Sequence, residues 1–195
     1  MDDPLSELEA WWSDKYYDDD DSDTGLVSFE SSGESGVLRF STVDYEEARA
    51  EWRLEIGGCA ESVWRGERGD PCWFAHHALL FPHVDRRAWV SFAKPLNDPL
   101  RAYGAVAQAH RQAVGDWIRL ERYFRESMLF SPFGILAQGA ERVVAAYAEA
   151  LGEIGEDVGL ASQDRARPVE EPWPTVVTWG GSYFVARSFR LIRTR

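Results

Sequence analysis

Residues 175–192 read TVVTWGGSYFVARSFRLI. β-branched and aromatic residues run on both sides of Gly180-Gly181, and a Gly pair between two such runs suits the tight primed turn of a two-residue hairpin. The stretch predicts antiparallel strands at Thr175 to Trp179 and Ser182 to Ile192, and a sheet for them to join. Two more strands are predicted upstream, Leu26 to Glu30 and Val37 to Val43, joined through the flexible loop Ser31-Ser32-Gly33-Glu34-Ser35-Gly36. Ala88 to Ala93 reads as a further strand before Lys94-Pro95.

Helices fill the remaining periodic stretches. Asp3 before Pro4 supplies a cap, and Leu5, Leu8, Trp12 and Tyr16 recur at helical steps. Asp44 with Glu47 resembles a capping box that opens a helix through Tyr45, Ala48 and Trp52. Asn97-Asp98-Pro99 is a cap and first turn, and the apolar positions from Leu100 to Phe124 predict one long helix. Ala140 to Ile154 forms a second helix that Gly155 stops. Gly57 to Pro71 and Gly159 to Pro174 read as loops, and Cys72 to Phe81 as strand or buried helix. Strands come early, helices late and a hairpin last. The fold class expected is α+β, a mostly antiparallel sheet with helices packed on one face, in a single two-layer domain over residues 1–195.

A chain of 195 residues with 45% hydrophobic residues can build a core without staples. Two cysteines, Cys59 and Cys72, are too few for a disulfide framework and are expected as free thiols. The start, Met-Asp-Asp-Pro, is acidic where a signal peptide is basic. No apolar run reaches the ~20 residues of a membrane span. A cytoplasmic location is expected, with no membrane partner.

The 33 acids outnumber the 21 bases, for a formal net charge of −12. Nucleic acid is a poor partner for such a chain, because phosphate binding needs a basic surface. Ten of the acids fall in residues 1–23 against the single Lys15, with an acidic loop at about 18–24. There Trp11 and Trp12 stand beside Asp14, Asp18, Asp19, Asp20, Asp21 and Asp23. Large aromatics anchor protein interfaces and charges guide approach, so these eight residues are the expected partner-binding site. The same tryptophans also suit packing at the end of a helix.

No sequence pattern marks a catalytic nucleophile, a phosphate-cradling loop or a His-Glu-x-x-His pair, and no catalytic residue and no cofactor is assigned. Cys72, His76, His77 and His83 carry zinc-ligating side chains. On a helix Cys72 and His76 would share one face, but the spacing matches no familiar zinc pattern and a strand would turn Cys72, His76 and His77 in incompatible directions, so no metal ligands are assigned. His110, on the apolar face of the long helix, needs a hydroxyl or carboxylate nearby to act in catalysis; otherwise it is a core-edge histidine held by a carbonyl. Glu46-Glu47 and Glu170-Glu171 suit a solvated face.

A small acidic α+β composition rich in Trp, with the Trp179-Gly180-Gly181 turn, resembles bacterial immunity proteins that neutralise toxins. That resemblance implies a non-enzymatic inhibitor that binds a basic toxin domain and blocks its active site. The alternatives are an unrecognised, metal-assisted enzyme centred on Cys72, His76 and His83, and an assembly component that forms a large homo-oligomer.

Overall fold

The computed structural model describes residues 3–15, 23–43, 49–66, 69–163 and 172–195. Its elements, in chain order, are α1 (Ser6–Lys15), β1 (Asp23–Ser32), β2 (Ser35–Val43), β3 (Arg49–Val63), β4 (Pro71–Phe74), α2 (Phe81–Val84), β5 (Arg87–Phe92), α3 (Pro99–Val114), β6 (Gly134–Ala140), α4 (Glu141–Glu153), β7 (Val158–Ser162), β8 (Thr175–Trp179) and β9 (Ser182–Arg193). The class is α+β with antiparallel pairing throughout, as the sequence predicts. Where the sequence suggests one sheet in one domain, the chain forms two sheets in two compact units: residues 1–77 with 170–195, and residues 78–169.

The first unit is a six-stranded sheet in the order β1-β2-β3-β9-β8-β4. Period-two alternation decides it. Leu38, Phe40 and Thr42 on β2 pair with Leu54, Trp52 and Ala50 on β3, and all six are buried. Leu8 of α1 and Leu5 just before it join the same apolar cluster with Val177, Trp179 and Phe184. Burying one such leucine contributes about 1.5–3 kcal/mol. Asp3 prepares the helix by accepting the Leu5 N–H at 2.7 Å.

The helix expected through Tyr45, Ala48 and Trp52 is corrected here. Residues 44–48 lie outside the described residues, but Trp52 sits in the strand β3, whose Ala50-Trp52-Leu54-Ile56 face is buried. The loop expected from Gly57 is also replaced, since β3 continues to Val63 past an irregularity between Cys59 and Glu61. The final hairpin is found as predicted, with Gly180 at φ +53 in its turn.

The second unit is a three-stranded sheet in the order β6-β5-β7. Ala88, Val90 and Phe92 of β5 are buried, and α4 packs across all three strands with α3 against it. The α3 N-terminus follows the sequence reading: Asp98 caps it, its carboxylate accepting the Arg101 N–H at 3.0 Å, with Pro99 in the first turn. The helix is shorter than predicted, however, stopping at Val114 because Gly115 takes φ +61. The buried carboxylate of Glu156 accepts the N–H groups of Asn97 and Asp98 at 2.9 and 3.0 Å. It thereby ties the segment after α4 to the start of α3.

Ion pairs fix the start of α4. Arg142 donates to Asp85 through two bonds of 2.6 Å and lies over the Phe81 ring at 4.2 Å. Arg86 donates to Glu141 at 2.7 and 3.0 Å, and the Ser162 hydroxyl adds a third bond to the same carboxylate at 2.7 Å. The bond from Ser162, followed by Arg86, holds the Glu141 carboxyl below its ordinary range.

Candidate functional site

Charge is partitioned between the units. Residues 78–169 hold eleven acids against eleven arginines and lysines, so the formal charge of −12 belongs entirely to the other unit. Within that unit the outward positions of the sheet are mixed in sign: Arg39 pairs with Glu30 at 2.9 Å and Arg53 with Glu55 at 2.8 Å. Such exposed pairs contribute little to stability, but they cancel charge locally. The excess of acid therefore gathers at the N-terminal segment.

There Leu8 of α1 and Leu5 just before the helix are buried, and Glu7 and Glu9 are left exposed. Trp11, Trp12 and Asp14 lie on this helix and Asp23 opens β1, where the structure describes the backbone alone. Asp18, Asp19, Asp20 and Asp21 lie outside the described residues. Glu7 and Glu9 are additions to the sequence reading, and the signal for them is their position opposite the leucines on a helix.

Cys72 locates a further part of the acidic surface. Its thiol is exposed on β4, and burial first, then the charges of Asp70, Glu9 and Asp3, push it above the ordinary thiol range. The charges of Asp70 just before β4, of Glu9 on α1 and of Asp3 ahead of that helix thus add to burial in opposing a thiolate at this exposed position. Cys59 is also a free thiol, half-buried on β3 and raised by burial. Trp173 and Trp64 are partly exposed in this unit, with Trp64 against the Phe29 ring at 5.6 Å.

The His and Cys cluster is dispersed by the local structure. Cys72 lies on β4, His76 in the bend that follows and His83 in α2, so the single helix that would align Cys72 with His76 does not form. His77 rests beside the Phe74 ring at 5.0 Å, and burial lowers its pKa. Among the described residues no three His, Cys, Asp or Glu side chains stand together as a metal would require.

His110 has the hydroxyl that the sequence could only ask for. Its Nε2–H donates to the Ile118 carbonyl at 2.6 Å, which leaves Nδ1 to accept from the Tyr147 hydroxyl, also at 2.6 Å. His110 and Tyr147 are both buried, and burial pushes the phenol far above its ordinary range, so it stays a donor. The pair ties α3 and α4 to the turn that follows α3. Replacing Tyr147 with Phe is expected to cost about 1–3 kcal/mol in urea unfolding, because Nδ1 is left buried without a donor. A loss below about 0.5 kcal/mol would show that the bond carries no net stability.

The second unit also carries a pocket of about 360 Å³ lined by Trp89, Tyr123, Gly139, Arg87, Arg122 and Gln138. At the entry to β6, Phe130 and Phe133 are 75% and 68% exposed. Comparison with protein families, with curated proteins and with solved structures finds no match for this chain.

Proposed function

We propose that this chain is a non-enzymatic protein-binding inhibitor of the immunity type, acting in the bacterial cytoplasm on a basic toxin domain. The observation that carries this reading is the confinement of the whole net charge to one unit, with its excess at the N-terminal segment. A concentrated negative surface raises the encounter rate with a basic partner and repels nucleic acid. Trp11 and Trp12 are the anchors of that contact, and Glu7, Glu9, Asp14, Asp18, Asp19, Asp20, Asp21 and Asp23 supply its field.

No helix among the described residues is long and apolar enough to cross a membrane. A basic toxin domain needs its cationic groove for a phosphate substrate, and carboxylates that fill the groove occupy the same sites. The test begins with capture from a native-host lysate at low salt and release by a salt step. A single basic protein in stoichiometric amount is expected. Changing Asp18 to Asp21 to Ser together with Glu7 and Glu9 to Gln should then lower the association rate at low salt by about tenfold or more, with the effect shrinking at high salt. An association rate that does not change in the variant would refute the steering role, and a captured partner that is acidic would refute the proposed target.

A further inference from the structure

The two edges of the three-stranded sheet differ. Along β6 the outward backbone groups are already bonded: Arg125 donates to the Leu136 carbonyl and Gln138 donates to the Tyr123 carbonyl, both at 2.8 Å, with a bridge between Phe124 and Ala137. The opposite edge is β7, Val158-Gly159-Leu160-Ala161-Ser162. It has no charged residue and no proline, the usual devices that keep an edge strand from pairing with another chain.

The register shows which β7 groups are free to bond. β5 and β7 pair Trp89 with Ala161 and Val90 with Leu160, and two residues beyond Ala161 the Gln163 N–H donates to the Arg87 carbonyl at 2.8 Å. Hydrogen-bonded and non-bonded pairs alternate along an antiparallel ladder. Residues 159, 161 and 163 therefore bond to β5, and the N–H and C=O groups of Val158, Leu160 and Ser162 point away from it. These groups have no backbone partner among the described residues. The Leu160 side chain is 45% exposed.

We propose that β7 is a self-pairing edge through which two copies of this chain form a symmetric dimer. A two-fold axis at Leu160 sets this residue opposite its own copy and Val158 opposite Ser162 of the other chain. Every outward donor then meets an outward acceptor: two reciprocal bonds at the central pair and two at each flanking pair. The result is a continuous sheet, β6-β5-β7 followed by β7-β5-β6 of the second copy. An axis perpendicular to a sheet preserves its faces, so both α4 helices lie on one side and the two Leu160 side chains meet there. Isologous pairing of this kind is the commonest route to a soluble oligomer.

Charge admits a second copy as the occupant, and the register supplies the fit, since every outward donor of the edge meets an outward acceptor of its own copy. A chain of net charge −12 repels itself in most orientations, but β7 belongs to the unit whose acids and bases balance. In this register Asp157 stands opposite Gln163, and Glu156, whose carboxylate is held by the Asn97 and Asp98 N–H groups, falls opposite Asp164 in sequence.

The test is sedimentation of the full chain over the micromolar range, with three variants. Wild type should dimerise. Leu160→Lys sets like charges opposite each other at the axis and should weaken dimerisation at least about tenfold. Leu160→Pro removes only an outward N–H, which an edge strand tolerates, and should leave the circular dichroism spectrum intact while the dimer is lost. In a Cys59→Ser, Cys72→Ser background, Leu160→Cys should form an intermolecular disulfide on mild oxidation, since paired Cα atoms at about 5.5 Å lie within disulfide reach. Ala161→Cys, facing the other way, should not. A wild-type chain that stays monomeric throughout would overturn the proposal. So would a dimer that is indifferent to Leu160→Lys and is not cross-linked through Leu160→Cys.

Discussion

Trp52→Ala is expected to lower the stability of the chain by about 3–5 kcal/mol, among the largest losses open to a single substitution here. Trp52 is only 1% exposed, near the start of β3. Its ring lies nearly parallel to Phe40 on the neighbouring strand, with centroids 6.3 Å apart, and Phe40 in turn meets Trp179 edge-on at 4.6 Å. Removing the indole opens a cavity beneath three strands and leaves the buried Thr42 hydroxyl without the Nε1–H that donates to it at 2.9 Å. Trp52→Phe separates the two effects, because it keeps much of the volume and loses the N–H. It should cost about 1–3 kcal/mol. The measurement is urea unfolding with the slope compared between variants, so that a lower midpoint at constant slope reads as stability alone. A loss below about 1 kcal/mol in Trp52→Ala would mean that the site collapses around the missing ring.

Gly139→Ala is the second large effect, about 2–4 kcal/mol, and its cause is different. Gly139 pairs with Ala88 at φ +154, and a Cβ at this position would overlap the Tyr123 ring. Tyr123 is buried, so its ring cannot swing into solvent to make room. The substitution adds backbone strain to overpacking, each of about 1–3 kcal/mol. Reducing Tyr123 to Ala in the same chain should recover part of the loss. The double variant is then expected to be more stable than the sum of the single effects by about 0.5–3 kcal/mol. Strict additivity would show that the glycine is required for its backbone angle and not for its closeness to the ring.

The elements that the sequence made legible are those whose signals are local. Asp98-Pro99 contains both a cap and a first turn, and Thr175 to Ile192 contains both strands and their turn. β3 was hidden by coincidence. Tyr45, Ala48 and Trp52 match a helical step, yet Ala50, Trp52, Leu54 and Ile56 match a strand, and the partner strands β2 and β9 decide between them. In α3 the apolar period runs on through Ile118, which is buried because the chain after Gly115 turns so that Ile118 meets His110. Periodicity persisted where the helix did not. β7 falls in a stretch that reads as loop because Gly159 to Pro174 contains three prolines and many charges, which hide the five uncharged residues of the strand. The second unit was not visible because the first is interrupted: its last two strands arrive only after the whole of residues 78–169.

The candidate site divides in the same way. Its acids could be counted in the sequence, and α1 shows which of Glu7, Leu8 and Glu9 face outward. The effect of the Glu9 and Asp3 charges on Cys72 is out of reach of the sequence, because these residues are far from Cys72 along the chain. The Tyr147 partner of His110 was likewise a question of two helices meeting, to which neither helix alone gives an answer.

The strand order has a consequence for synthesis. β9 is the last strand of its sheet to be made, and it takes an inner place, between β3 and β8. On the ribosome, β1, β2 and β3 emerge early and must wait with one flank of β3 unfilled, whereas every strand of the later sheet is available once Ser162 has left the exit tunnel. The unit that begins the chain is therefore the last to be completed, and the inserted unit is able to finish folding first, against the usual order in which N-terminal parts lead. A pause in translation between β7 and β8 would lengthen the time that the β3 flank stands open. A chaperone that shields this flank would act on the nascent chain and leave the finished protein untouched.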